Sequence, residues 1–173
     1  MSSLYIHNLL SRNVRQQTGK GKISRQQVIT VVGNQNGLVG VGIGKSDGFP
    51  EAFAMATRSA LRNMDYVERF EDRTVWTEME HKFGATRVIM RPRPVGFGLR
   101  CNPNIYHILK AAGIKDVSAK VWGSRNPMQV AHTVMQMLLP GCEPLGMGMR
   151  VGMRTKDEIE RERGRKLVPL RYP

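Results

Sequence analysis

From Gln27 the chain alternates and clusters apolar positions in a way that sets the first element boundaries. It reads QVITVVG, then NQNG, then LVGVGIG. Two runs rich in β-branched residues, joined by Asn and Gly, predict a β-hairpin, with Gly37 at the turn position that needs a positive φ. Side chains on a strand alternate, so Val39, Val41 and Ile43 share one face while Gly40, Gly42 and Gly44 share the other. The period then changes. In GFPEAFAMATRSALRNM, Pro50 suits the first helical position and Glu51 the favourable end of the helix dipole. Phe53, Ala56, Ala60, Leu61 and Met64 recur at three- and four-residue steps, which predicts a stripe facing the core. Residues 1–70 thus read as a small sheet with one helix against it.

The rest of the chain reads as a second unit, 71–142, and a tail, 143–173. RTVWTEMEHKFG and ATRVIMRP are strand-like, with a turn at Gly84. RPRPVGFGLRCNP is too rich in Pro and Gly for regular structure. Asn102 caps a helix with Pro103 at its first position, and IYHILKAAG runs until Gly113 stops it. KDVSAKVWG predicts a strand, SRNP a turn, and PMQVAHTVMQMLL a helix with Val130, Val134, Met137 and Leu138 inward. The order β-β-α-β-α makes the fold α+β. The tail holds a capping box, Thr155 and Glu158, ahead of a short charged helix.

Composition changes this picture little: 40% hydrophobic and 24% charged residues are ordinary for a globular chain. At 173 residues it can bury roughly 70% of its unfolded surface without disulfides. Cys101 and Cys142 lie far apart with no C-x-x-C partner, so they read as free thiols in a reducing compartment. No run of eighteen apolar residues is present, and no bilayer span is expected.

Charge changes it more. The net charge is +13, and it is sorted. Residues 1–46 hold six cations (Arg12, Arg15, Lys20, Lys22, Arg25, Lys45) and no acid. Residues 82–115 hold seven (Lys82, Arg87, Arg91, Arg93, Arg100, Lys110, Lys115) and no acid, while the other residues balance. Unopposed blocks point to a polyanionic partner. Neither block can form the basic amphipathic helix of a membrane-surface binder. Flexible basic loops with glycine suit the phosphate backbone of a folded nucleic acid.

Enzymatic readings fail on spacing. GLVGVGIGKS has the look of a phosphate loop, yet the first glycine of G-x-x-x-x-G-K-[ST] falls on Val39. G-x-G-x-x-G fails at Lys45 or at Asp47, and no acidic residue follows the apolar strand to hold magnesium. The four histidines lack metal-ligand spacing. Glu78 and Glu80 share a strand face opposite His81, without further support for hydrolysis. Cys101, in a basic loop, is a candidate for a depressed pKa but has no histidine motif around it. No catalytic residue, cofactor or nucleotide is expected.

The motifs in order carry a resemblance. VVGNQNGLVGVGIGKS, a helix opening FPEA, GFGLRCNPNIYHILKAAGIKDVSAKVWGSRNP and an amphipathic helix closely resemble the universal family of small-subunit ribosomal protein five, over about residues 15–139. YVERFEDRTVW and GFGLRC resemble its mitochondrial branch. The resemblance implies an N-terminal domain like a double-stranded-RNA-binding fold and a C-terminal domain with a left-handed βαβ crossover, an exception to the usual handedness. It implies a non-enzymatic constituent of the mitochondrial small subunit that binds small-subunit rRNA near where messenger RNA (mRNA) enters, touches small-subunit proteins four and eight, and supports decoding accuracy. The family's extended loop corresponds to Gln16 through Ser24, with Gly19 to Lys22 at its tip. No arginine- and serine-rich presequence is evident, so the mitochondrial expectation rests on the resemblance. Arg12, Arg15, Lys20, Lys22, Arg25, Lys45, Arg87, Arg91, Arg93 and Arg100 are the expected RNA contacts. The alternatives are a free-standing double-stranded-RNA-binding regulator and a nucleotide-dependent enzyme.

Overall fold

The computed structural model describes residues 4–139, so the tail, its capping box and Cys142 lie outside the described residues. The elements run β1 (Tyr5–Thr18), β2 (Gly21–Gly33), β3 (Leu38–Ser46), α1 (Phe49–Arg62), β4 (Met64–Tyr66), β5 (Met79–Phe83), β6 (Thr86–Pro92), β7 (Leu99–Arg100), α2 (Pro103–Ala112), β8 (Val117–Gly123) and α3 (Pro127–Leu138). They form two four-stranded sheets, ordered β1-β2-β3-β4 and β5-β6-β8-β7.

The glycines of β3 decide how the first sheet is covered. Gly40, Gly42 and Gly44 present bare backbone to α1, and a methyl group on any of them would overlap helix backbone atoms: Ala60 O, Ala56 O and Ala52 O respectively. A helix at that range leaves room only for methyl side chains, and Ala52, Ala56 and Ala60, spaced by four, are fully buried. This corrects the expected stripe. Ala56 and Ala60 hold their places, Phe53 is half-buried, and Leu61 is 43% exposed because a close-packed helix turns its larger side chains outward. Met64 lies beyond the helix, in β4. The helix starts at Phe49 after Gly48, which puts Pro50 one position inside its start.

The opposite face of the same sheet packs on the second unit. Val31 and Val39 join Ile105, Ile108 and Leu109 of α2 in one apolar cluster that continues to Val88, Met90 and the buried side of α3. Val130, Val134, Met137 and Leu138 face inward as expected. The β2–β3 turn fastens this seam. Asn34 Oδ1 accepts the amides of Asn36 (2.7 Å) and Leu38 (3.0 Å), and Gly37 takes φ 95°. The turn's own amides then serve the end of α2, where helical carbonyls lack partners: Gln35 N donates to Ala111 O and Gly37 N to Ala112 O, both at 2.9 Å. Asn102 Oδ1 caps the start of α2 by accepting Asn104 N at 3.0 Å, and Gly113 ends it in the left-handed region.

Two further expectations need correction. In the second unit the first strand begins only at Met79; ahead of it Arg73 and Thr74 sit in a turn closed on Phe70. The Pro- and Gly-rich stretch contains a short strand after all: β7 runs parallel to β8, so β7, α2 and β8 form a βαβ unit.

Candidate nucleic-acid interface

The first basic block is a strand ribbon, not a flexible loop. β1 and β2 pair continuously from Arg12↔Gln27 to Thr18↔Gly21, while β3 stops opposite Gln26. Five residues of β2 thus project past the sheet, roughly 16 Å at strand rise. Val14, Gln16, Gln17 and Ile23 are exposed, so solvation by long polar side chains and the cross-strand bonds, rather than a core, hold the projecting part, while Gln27 at its base is buried.

Register sorts its cations onto two faces. Arg12, Gln27 and Lys45 are cross-strand neighbours over three strands, and Arg12 Nε donates to Gln27 Oε1 at 2.9 Å. Arg25 lies on that same face and meets Asp47 at 3.4 Å. Arg15 and Lys22 occupy the other face, and Lys20 sits in the turn between the strands. Apart from Arg25, these cations have no acidic partner among the described residues.

The second block is less unopposed in space than in sequence. Arg87 Nη2 donates to Glu80 Oε2 at 2.8 Å, and Arg91 Nε to Glu78 Oε1 at 2.8 Å. The hydrogen bond from Arg87 holds the Glu80 carboxyl below its ordinary value. The two acids that looked like a candidate pair are therefore occupied by arginines, and His81, on the inner face, bonds Gln136 at 3.0 Å. Arg93 and Arg100 differ: their guanidiniums lie over the Phe97 ring, 5.2 and 4.5 Å from its centre.

That loop is built by a residue the sequence did not single out. Asp116 is buried, and its Oδ1 accepts the amides of Gly98 (2.9 Å) and Gly96 (3.1 Å), while Oδ2 meets Arg73 at 3.1 Å. The Gly98 amide is the chief cause of a carboxyl pKa below the usual range, with Arg73 assisting. An acid placed at the end of 34 acid-free residues was the available signal. Because its folded pKa is depressed, the stability it lends is present above the ordinary Asp value near 4 and is lost as pH falls through the folded value. Asp116→Asn is expected to loosen the 93–98 loop, read as faster amide exchange at Gly96 and Gly98 at pH 6 with the amides of β2 unchanged.

Cys101 is corrected outright. Burial pushes its thiol up to about 11, the reverse of the depressed value expected of a basic loop. His107 serves the seam between sheet and helix: its ring stacks on His7 at 3.4 Å and its Nδ1 lies 2.9 Å from Tyr5 Oη. Among the described residues, no cluster of His, Cys, Asp or Glu is placed to hold a metal ion, and no helix is long and apolar enough to cross a membrane.

Comparison with known proteins fits this geometry. Residues 6–68 match ribosomal protein S5, N-terminal domain, and residues 81–140 match ribosomal protein S5, C-terminal domain. The chain is 40% identical over 162 residues to small ribosomal subunit protein uS5m of Schizosaccharomyces pombe, covering 94% of this chain and 39% of that protein. It is 38% identical over 128 residues to uS5m of Bos taurus, covering 73% of this chain and 30% of that protein. It is 36% identical over 129 residues to small ribosomal subunit protein uS5 of Roseobacter denitrificans, covering 75% and 68%. The chain thus spans well under half the length of the mitochondrially named relatives.

Proposed function

Since the chain belongs to the ribosomal protein S5 family, we propose that it is a structural constituent of the mitochondrial small ribosomal subunit that binds small-subunit rRNA and catalyses nothing. The observation that carries this is the projecting ribbon: five cations on its two faces and at its tip, Lys45 beside them, and, among the described residues, a single ion-paired acid, Asp47, against them. Side chains of this kind neutralise phosphates and set position without reading bases. Arg12, Arg15, Lys20, Lys22, Arg25 and Lys45 bind from the ribbon and its base. Arg93 and Arg100 bind from the Asp116-anchored loop. Arg87 and Arg91 lend a charge shared with Glu80 and Glu78.

The finer reading follows the family resemblance. The N-terminal unit, 1–70, acts as a double-stranded-RNA-binding-like domain. The C-terminal unit, 71–142, carries the left-handed crossover at β7-α2-β8, and 143–173 is a basic tail. The protein lies near where mRNA enters, beside small-subunit proteins four and eight, and supports decoding accuracy. Two faces of cations on one ribbon suit a place between RNA segments.

Sedimentation tests the assignment. Tagged chain expressed in cells is expected to co-migrate with the mitochondrial small subunit at moderate salt. A chain found only among free proteins at the top of the gradient overturns the proposal and leaves the free-standing RNA-binding regulator.

A further inference from the structure

The outer face of the second sheet has a composition that the ribbon does not account for. Met79, His81, Val88, Met90 and Ala119 point inward, so strand alternation turns the intervening residues outward. Register sets these in rows. Lys82, Arg87 and Trp122 are cross-strand neighbours; Glu80, Ile89 and Lys120 follow, then Arg91, Ser118 and Arg100. Five of these side chains are cations. Glu80 and the Glu78 that bonds Arg91 are the acids facing them, which leaves a net positive face.

Trp122 is 58% exposed at one end of this face, with the half-buried Ile89 diagonal to it. At the other end the Phe97 ring lies against the guanidiniums of Arg93 and Arg100. Four strand residues, roughly 13 Å, separate Trp122 from Ser118 in the Arg100 row, which at about 3.4 Å per stacked base is room for three or four nucleotides.

We propose that this face binds an unpaired RNA strand, with Trp122 stacking on a base and Lys82 and Lys120 neutralising the flanking phosphates. An indole can stack only on a base released from a duplex, and stacking tolerates any base. Arg87 and Lys82 across the sheet from the indole and Lys120 along its strand favour a polyanion with rings of its own over an uncharged protein surface. The site lies on a different sheet from the ribbon, and its binding of a short strand does not depend on the ribosomal assignment.

The test uses the full chain with Trp76→Phe, so that Trp122 is the one remaining indole. Octauridylate is expected to quench Trp122 emission saturably, and the quenching persists when Arg15, Lys20 and Lys22 of the ribbon are changed to Ala. In the otherwise native chain, Trp122→Ala is expected to weaken octauridylate binding about tenfold, whereas Trp122→Phe keeps it within about threefold. Because the residue is exposed, neither change threatens the fold. The proposal is overturned if Trp122→Ala binds octauridylate as tightly as the native chain, if emission does not respond, or if an eight-base-pair RNA duplex quenches equally. Loss of a protein contact alone, with octauridylate binding intact, overturns it too.

Discussion

Gly42→Ala is expected to lower the unfolding midpoint by about 6–12 °C, equivalent to roughly 3 kcal/mol, the upper part of the range for overpacking. The added methyl would overlap Ala56 O and Ala60 N. These are backbone atoms of a hydrogen-bonded helix, so no rotamer change can make room; α1 must lift from the sheet and expose Ala52, Ala56 and Ala60. The same substitution at Gly19 supplies the control. Gly19 has open space around it and a backbone that an L residue can adopt, so Gly19→Ala is expected to change stability by less than about 0.5 kcal/mol. Calorimetry of both variants decides the point: equal midpoints would show that the glycine face is not needed for close helix packing.

Replacing Arg15, Lys20 and Lys22 together by Ala is expected to flatten the salt dependence of rRNA binding by about 2 to 2.7 units of slope, since each lost phosphate contact removes about 0.7 to 0.9. These three hold one ribbon face and its tip and have no acidic partner among the described residues, so their charge is fully available to RNA. Their exposure means that the fold is unaffected. The charge-conserving variant Arg15→Lys, Lys20→Arg, Lys22→Arg is expected to keep the native slope. Titrations of small-subunit rRNA at 50 to 200 mM salt measure both. A slope unchanged by the alanine variant would remove the ribbon from the interface.

The elements were legible wherever local signals agreed. The Asn34 to Gly37 turn, the cap at Asn102 and the stop at Gly113 depend on side-chain reach and φ alone, and each sits where those rules place it. The ribbon was not legible as strand, because its exposed Gln, Arg and Lys lack the apolar alternation that marks a half-buried strand; the pairing of β1 with β2 imposes the conformation. Leu61 was misplaced for a similar reason. Helical periodicity finds a stripe but not the distance to the next layer, and at glycine-set distance alanine displaces leucine from the interface. Cys101 was misread because charged neighbours in sequence say nothing of burial, and burial sets its thiol pKa.

By itself the sequence determined the β2–β3 hairpin, the three helices, the strands β5, β6 and β8, the two-faced β3 strand, the sorted excess of cations and the failure of every phosphate-loop spacing. Those follow from alternation, turn chemistry and counting. The tertiary structure decided which cations stay unopposed, since Glu78 and Glu80 reach Arg91 and Arg87 only across paired strands. It also decided how the Phe97 loop is held, since Asp116 meets Gly96 and Gly98 only once β8 lies beside β7. Charge compensation falls off with distance in space, and a chain fixes that distance only when it folds.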